Sequence, residues 1–296
     1  MSWGDEDARA IAALIGRQFA SLAWAPGRDG DWDGFARDFL PGAPLFPSAR
    51  PVQPQTVPQF VARMQGLARG ALHTFDERVL GIQTSAFGNV AVALAACEMT
   101  ENGSTVQHNV EALLLVKDGG TWKIAAQGWD RASAERPVPA DLANGEGGPL
   151  MAQSGEDARA IDAVIRRQIA SLAWSPEREG DWDGFARDFA AGASLIQSPR
   201  PVEPRTVPQF VARQQGLARD WLRSYGQRLL GTQSSVFGAV AVALAAAEMS
   251  ENGAAVARNV AALLLVKDDG AWKIAAQAWD RASEEHPVPR DLGGGR

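Results

Sequence analysis

Shifted by 150 positions, the chain lies on itself without a gap. Asp31-Trp32-Asp33-Gly34-Phe35-Ala36-Arg37-Asp38-Phe39 returns as Asp181-Trp182-Asp183-Gly184-Phe185-Ala186-Arg187-Asp188-Phe189. Leu113-Leu114-Leu115-Val116-Lys117-Asp118 returns as Leu263-Leu264-Leu265-Val266-Lys267-Asp268. The period is far longer than the ~20–50 residues of a solenoid repeat. Each copy, at roughly 145 residues, can bury a core of its own. The expected organisation is therefore a first domain over 1–142, a linker over 143–156 and a second domain over 157–296. The linker reading rests on a Gly-rich, polar composition, followed by Met151-Ala152-Gln153-Ser154, which reads like a second start.

Composition narrows the function classes. Apolar residues make up 46% and charged residues 22%, as in a globular protein, and the net charge is −6. No basic run or RNA-binding aromatic signature points to nucleic acid. No apolar stretch approaches the ~20 residues of a membrane span. The acidic opening Met-Ser-Trp-Gly-Asp-Glu-Asp does not read as a secretory signal, so a cytoplasmic location is expected.

Within one copy the pattern reads helix, helix, hairpin, helix, meander. Ile11, Leu14, Ile15, Phe19, Leu22 and Ala23 recur at helical spacing over 5–24, and Pro26-Gly27 ends the run. Asp31 is placed to cap a second helix over 32–39. Leu45 to Val52 looks extended and broken by prolines. Thr56 caps a third helix, with Pro58 tolerated in its first turn. Strands are expected at about 75–87, 89–101, 105–117 and 121–131. Val90 to Cys97 and Val110 to Val116 are apolar at nearly every position, which implies cover on both faces. Three helices can cover one face, and the second copy is the candidate for the other.

This order resembles the SnoaL-like branch of the nuclear transport factor 2-like superfamily. The residues that carry the resemblance are Gly30 to Phe39, Phe60-Val61-Ala62-Arg63, Phe87-Gly88-Asn89-Val90-Ala91, Leu115 to Ile124 and Trp129-Asp130. The resemblance implies an α+β fold: two tandem cone-shaped α+β barrel domains, each with three N-terminal helices and a curved, mostly antiparallel sheet. It also implies a pocket at the wide end of each cone, and dimers formed through the convex sheet face. A tandem copy would then be a covalent pseudo-dimer. The family includes enzymes and non-catalytic binding domains, so fold alone does not choose a function.

The repeat serves as a filter on candidate chemistry. His73, His108 and His286 have arginine counterparts (Arg223, Arg258 and Arg136), so no histidine can serve both copies. Cys97 pairs with Ala247, which leaves no disulfide and no shared thiol. Tyr225 pairs with Phe75. Asp29-Gly30-Asp31-Trp32-Asp33-Gly34 imitates the start of a calcium loop, but the twelfth position is Leu40 and Ala190, where that loop needs a glutamate. No metal and no cofactor is expected.

The matched polar residues remain. With Asn102-Gly103 as a two-residue turn, Glu98 would oppose Gln107, and Asn109 would share its face as a diagonal neighbour. The second copy keeps Glu248 and Asn259 but replaces Gln107 and Glu111 by Ala257 and Ala261. Asp130 and Asp280 join that face if Asp118-Gly119 is also a two-residue turn. Glu98, Asp130, Glu248 and Asp280 are therefore the catalytic candidates. Asn109, Trp129, Asn259, Trp279, Arg63 and Arg213 are the ligand-binding candidates. Two functions are expected to compete. One is binding of a small, mostly hydrophobic molecule without turnover, or simple protein association. The other is a cofactor-free isomerisation, cyclisation or dehydration with a pocket carboxylate as acid–base. The direction in which Glu98 points separates them.

Overall fold

The computed structural model describes residues 3–144, 146–148, 150, 153–197 and 202–293. The first half runs α1 (Trp3–Ala20), α2 (Trp32–Arg37), β1 (Pro44–Phe46), β2 (Gln55–Thr56), α3 (Val57–Arg69), β3 (Phe75–Phe87), β4 (Val90–Glu101), β5 (Thr105–Asp118) and β6 (Thr121–Arg131). A short helix α4 (Ala140–Ala143) and strand β7 (Glu146–Gly148) follow. The second half repeats the order as α5 (Glu156–Ser171), α6 (Trp182–Arg187), β8 (Phe189–Gln197), β9 (Pro204–Thr206), α7 (Val207–Asp220), β10 (Tyr225–Phe237), β11 (Val240–Glu251), β12 (Ala254–Asp268) and β13 (Ala271–Arg281). The chain is α+β in two similar halves, as expected.

Local chemistry sets the helix starts. Asp31 and Asp181 cap α2 and α6, each accepting from the backbone N–H three residues on at 2.8 Å. Thr56 with Gln59, and Thr206 with Gln209, form capping boxes at α3 and α7, with the proline in the first turn.

Each sheet is a meander closed by a parallel strand. The strand orders are β2-β1-β6-β5-β4-β3-β7 and β10-β11-β12-β13-β8-β9. Bulges at Leu80 and Ala125, and at Leu230 and Ala275, interrupt the registers of both meanders. Such bulges bend a strand and raise its twist, which curves each sheet around its helices. On the concave face of the first half, Ala93, Ala95, Cys97 and Leu113 pack with Ile11, Ile15, Phe19 and Phe60 of the helices. The second half repeats this with Ala243, Ala245, Leu263, Ile161, Ile165 and Phe210.

A third core lies between the convex faces. Val92, Leu94, Val110, Ala112 and Leu114 of one sheet share a cluster with Val242, Leu244, Val260, Ala262 and Leu264 of the other. Strand alternation sends odd-numbered residues of β4 inward and even-numbered ones to the other half. Strands apolar at every position thus serve two cores at once.

The region expected as a linker carries structure of its own. β7 runs parallel to β3, with Ile82 opposite Glu146 and Gln83 opposite Gly148. Further on, the Gln153 N–H donates to the Ser234 carbonyl, and the Val236 N–H donates to the Gln153 side chain.

Candidate functional site

Two registers decide which polar residues meet. The first-half β4–β5 loop holds three residues, with Glu101 opposite Thr105. Glu98 therefore opposes His108, not Gln107, and Asn109 opposes Cys97. The second half does form the two-residue turn at Asn252-Gly253, but a bulge at Val256 restores the same pairing, Glu248 with Arg258. The expected Glu98–Asn109 neighbourhood is thus corrected: the two side chains point to opposite faces of the sheet.

Glu98 lies at the open end of the convex face. It accepts from Arg78 at 2.9 Å and lies 3.3 Å from the His108 Nε2. Glu248 accepts from Arg228 at 2.9 Å and Arg258 at 3.0 Å. The arginine hydrogen bonds hold both carboxyls below the ordinary carboxylate range. These are partly exposed ion pairs, and Glu248 is not among the residues that line the second-half cavity.

Asp130 does share the convex face with Glu98, because Gly119-Gly120 makes a tight turn and the Ala125 bulge then sets Asp130 opposite Val110. It reaches across to the second half, accepting from the Ala239 N–H at 2.8 Å, and also accepts from Arg136 of its own half at 3.0 Å. Asp280 reciprocates by accepting from the Asn89 backbone N–H and side-chain amide, each at 2.8 Å. Gly88 and Gly238, with φ of +58° and +57°, carry these turns, and a Cβ on either would collide with the aspartate opposite. Two further matched carboxylates, Asp38 and Asp188, are buried in bidentate pairs with Arg17 and Arg167.

The concave faces hold the other candidates. In the second half a cavity of about 500 Å³ opens between α5, α7 and the sheet. Its apolar wall includes Ile165, Ile169, Leu195, Phe210, Ala245, Ala247, Ala261 and Leu263. Its polar groups include Gln168, Gln214, Gln227, Asn259 and Gln277, with Arg213, Arg281 and Glu251. Trp279 lines it, edge-on to Phe210 at 5.8 Å. Tyr225 accepts from Gln227 at 2.6 Å, and burial pushes its hydroxyl up to about 12. Gln277 Oε1 is buried without a donor. Asn259, Trp279 and Arg213 are therefore brought together.

In the first half Asn109 and Trp129 occupy the same positions, and Trp129 packs edge-on to Phe60 at 5.9 Å. The Arg63 guanidinium lies 5.3 Å over the Phe60 ring. This face carries two glutamates that its twin lacks. Glu111 stands where the second half has Ala261, and Glu77 where it has Gln227. Both are buried. Glu111 accepts from Gln127 at 2.8 Å, and Gln127 accepts from Gln18 at 3.4 Å. Burial, then the charge of Asp76, pushes the Glu77 carboxyl up to about 8. Burial, then Glu77, pushes Glu111 well up. The repeat filter discarded Glu111 because its twin is alanine. The signal available in the sequence was a lone carboxylate inside the apolar run of β5.

Among the described residues, no group of three or more His, Cys, Asp or Glu is placed to hold a metal ion. Among them, no helix is long and apolar enough to cross a membrane.

No family model matches the chain, and no curated protein does. Solved structures do match. A nuclear transport factor 2-like protein of unknown function from Silicibacter pomeroyi has 16% identity and a TM-score of 0.33, covering 43% of this chain and 98% of that one. Another of unknown function, from Pseudomonas putida, has 14% identity and a TM-score of 0.37, covering 51% and 97%. A protein of unknown function with a cystatin-like fold, from Nostoc punctiforme, has 12% identity and a TM-score of 0.37, covering 47% and 100%. Each of these structures aligns with about one half of the chain, whose two halves carry similar sheets.

Proposed function

We propose that the protein binds a small, mostly apolar molecule, with the open cavity of the second half as its seat. The observation that carries this reading is the cavity of about 500 Å³, walled by aliphatic and aromatic side chains with a few amides among them. That is the size and lining of a small-molecule site. Gln277 Oε1, buried without a donor, calls for a ligand that offers one hydrogen-bond donor at depth, a hydroxyl or an N–H. Arg213 and Arg281 place positive charge on the wall. Asn259 and Trp279 act here as ligand-binding residues, and Asn109, Trp129 and Arg63 hold the equivalent places in the first half.

Binding without turnover is favoured over acid–base catalysis in this cavity. Glu251 is its single carboxylate among the described lining residues, and the Tyr225 hydroxyl stays protonated at neutral pH. Glu98 and Glu248 are neutralised by arginines outside the cavity, and Asp130 and Asp280 tie one half to the other. These four are assigned structural roles. The two halves act as a fused pair, and the cytoplasm is the proposed location.

The test is equilibrium binding of an apolar fluorescent probe to the full chain and to Ala261→Phe. The added ring would occupy the cavity, so probe affinity should fall roughly tenfold or more, about 1.4 kcal/mol, with the fold retained. Unchanged affinity in a folded variant would sink the assignment.

A further inference from the structure

The second-half cavity has an apolar end and a charged end. Ile165, Ala245 and Leu263 are buried on its wall, while Arg213, Trp221 and Arg281 are exposed members of its lining. Helical periodicity builds one side of it. Phe210, Arg213, Gln214, Leu217 and Trp221 fall at i, i+3, i+4, i+7 and i+11 along α7 and its C-cap, so all five meet the cavity. Arg281 comes from the last residue of β13, opposite Asn259. Its Nη2 donates to the Val256 carbonyl at 2.9 Å, which holds the guanidinium at the end of β12 and leaves further N–H donors open.

Neither arginine forms an ion pair among the described residues, and Arg213 makes no hydrogen bond or ring contact there either. Its twin Arg63 instead stacks 5.3 Å over the Phe60 ring. Glu251, the remaining charged group of the lining, lies beside Tyr225 and acts on its hydroxyl. Two arginines against one glutamate leave one net positive charge around the cavity, on a chain whose net charge is −6. Both copies keep the two arginines, as Arg63 with Arg131 and Arg213 with Arg281. In the first half they lie close together: burial, then the charge of Arg131, pulls the Arg63 guanidinium below its ordinary value. Like charges held side by side repel, and an anion bound between them relieves that repulsion.

We propose that the ligand of the second-half cavity is an amphipathic monoanion, an aryl- or alkyl-carboxylate, with its apolar body against Ile165 and Leu263 and its carboxylate held by Arg213 and Arg281. The proposal rests on the reading of this cavity as a small-molecule site and adds the charge of its occupant. Guanidinium groups match a carboxylate in both charge and hydrogen-bond geometry. One net positive charge suits a single negative charge. A neutral ligand of the same shape fills the apolar end and leaves the arginines unpaired.

The test is equilibrium dialysis of the full chain at pH 7 with 4-phenylbutanoate and with 4-phenyl-1-butanol, which differ only at the polar end. The acid should bind roughly tenfold or more tightly, and the preference should shrink as salt rises from about 20 to about 500 mM. Arg213→Gln combined with Arg281→Gln should bring the ratio of affinities to about one while the circular dichroism spectrum stays unchanged. Arg219→Gln removes a positive charge from the same helix outside the cavity, and should keep the preference. Equal affinities in the wild type would overturn the proposal. So would a preference that survives in the folded double variant, or one that Arg219→Gln removes as fully. Alcohol binding that Ala261→Phe blocks, with no preference for the acid, would leave the cavity a small-molecule site and sink only the anionic ligand. Binding of neither compound would count against both.

Discussion

Asp280 accepts two hydrogen bonds from Asn89, one from its backbone N–H and one from its side-chain amide, each 2.8 Å long. Asp130 holds the matching turn of the other half through the Ala239 N–H. Each half thus uses the end of its final long strand to hold the first turn of its neighbour's meander. Two other reciprocal contacts flank this latch. Asp268 accepts from the Val52 N–H, and Asp118 accepts from the Val202 N–H. The matched aspartates thus sit at the contact between the two halves.

Removing the latch should cost stability and leave ligand binding alone. Asp280→Ala leaves the Asn89 N–H without its partner, a loss of about 1–3 kcal/mol. Urea unfolding of the full chain should show a lower midpoint, while probe affinity in the second-half cavity stays the same. A loss of binding with unchanged stability would instead restore Asp280 as a site residue.

The turn glycines should be intolerant for a separate reason. Gly88→Ala forces a left-handed backbone on an L-residue and drives its Cβ into the Asp280 carboxylate. Gly238→Ala does the same against Asp130. Each variant should melt below the wild type. An equivalent change at Gly119, whose Cβ would meet open space, should be milder although the backbone strain is similar. Equal melting temperatures for the Gly88 and Gly119 variants would contradict the latch.

Glu98→Gln and Glu248→Gln should change little. Their partners are exposed arginines, and such surface pairs are screened by solvent. Probe binding and the urea midpoint should both match the wild type. A marked loss of binding in either variant would show that the open end of the convex face matters to the site.

Much of this architecture was legible beforehand. Element order, capping residues and the two-core use of β4 and β5 follow from periodicities of 3.6 and 2 in a duplicated chain. The site was less legible, for two physical reasons. One extra loop residue at Ser104 moves Asn109 to the opposite face from Glu98, and a period of 2 makes any such slip total. The comparison between copies also keeps residues needed for folding, such as Asp38 and Asp130, as readily as residues needed for function. It discards residues on which the copies have diverged, and Glu77 and Glu111 are of that kind.

Those two carboxyls set a pH dependence. Burial raises the Glu77 carboxyl to about 8 in the folded chain, and Glu111 is raised as well. The folded state therefore binds more protons than the unfolded state between the ordinary carboxylate range and about pH 8. Stability is fullest at the acid end of that window and falls as pH rises through it, by at most ~1.4 kcal/mol per pH unit per carboxyl. Urea midpoints taken from pH 5 to 8 should decline in the wild type. They should decline less in Glu77→Gln, and less again when Glu111→Ala is added. A wild-type profile that rises over this range would contradict the buried, protonated pair.

The central claim is that the second-half cavity holds a small apolar molecule. Native mass spectrometry of the full chain tests it most directly, with the chain measured as purified and after incubation with apolar compounds that carry one hydroxyl. One bound molecule per chain is predicted in the wild type and in Glu77→Gln with Glu111→Ala, and none in folded Ala261→Phe. A wild-type chain that retains no such compound, or an Ala261→Phe chain that retains it undiminished, would contradict the account.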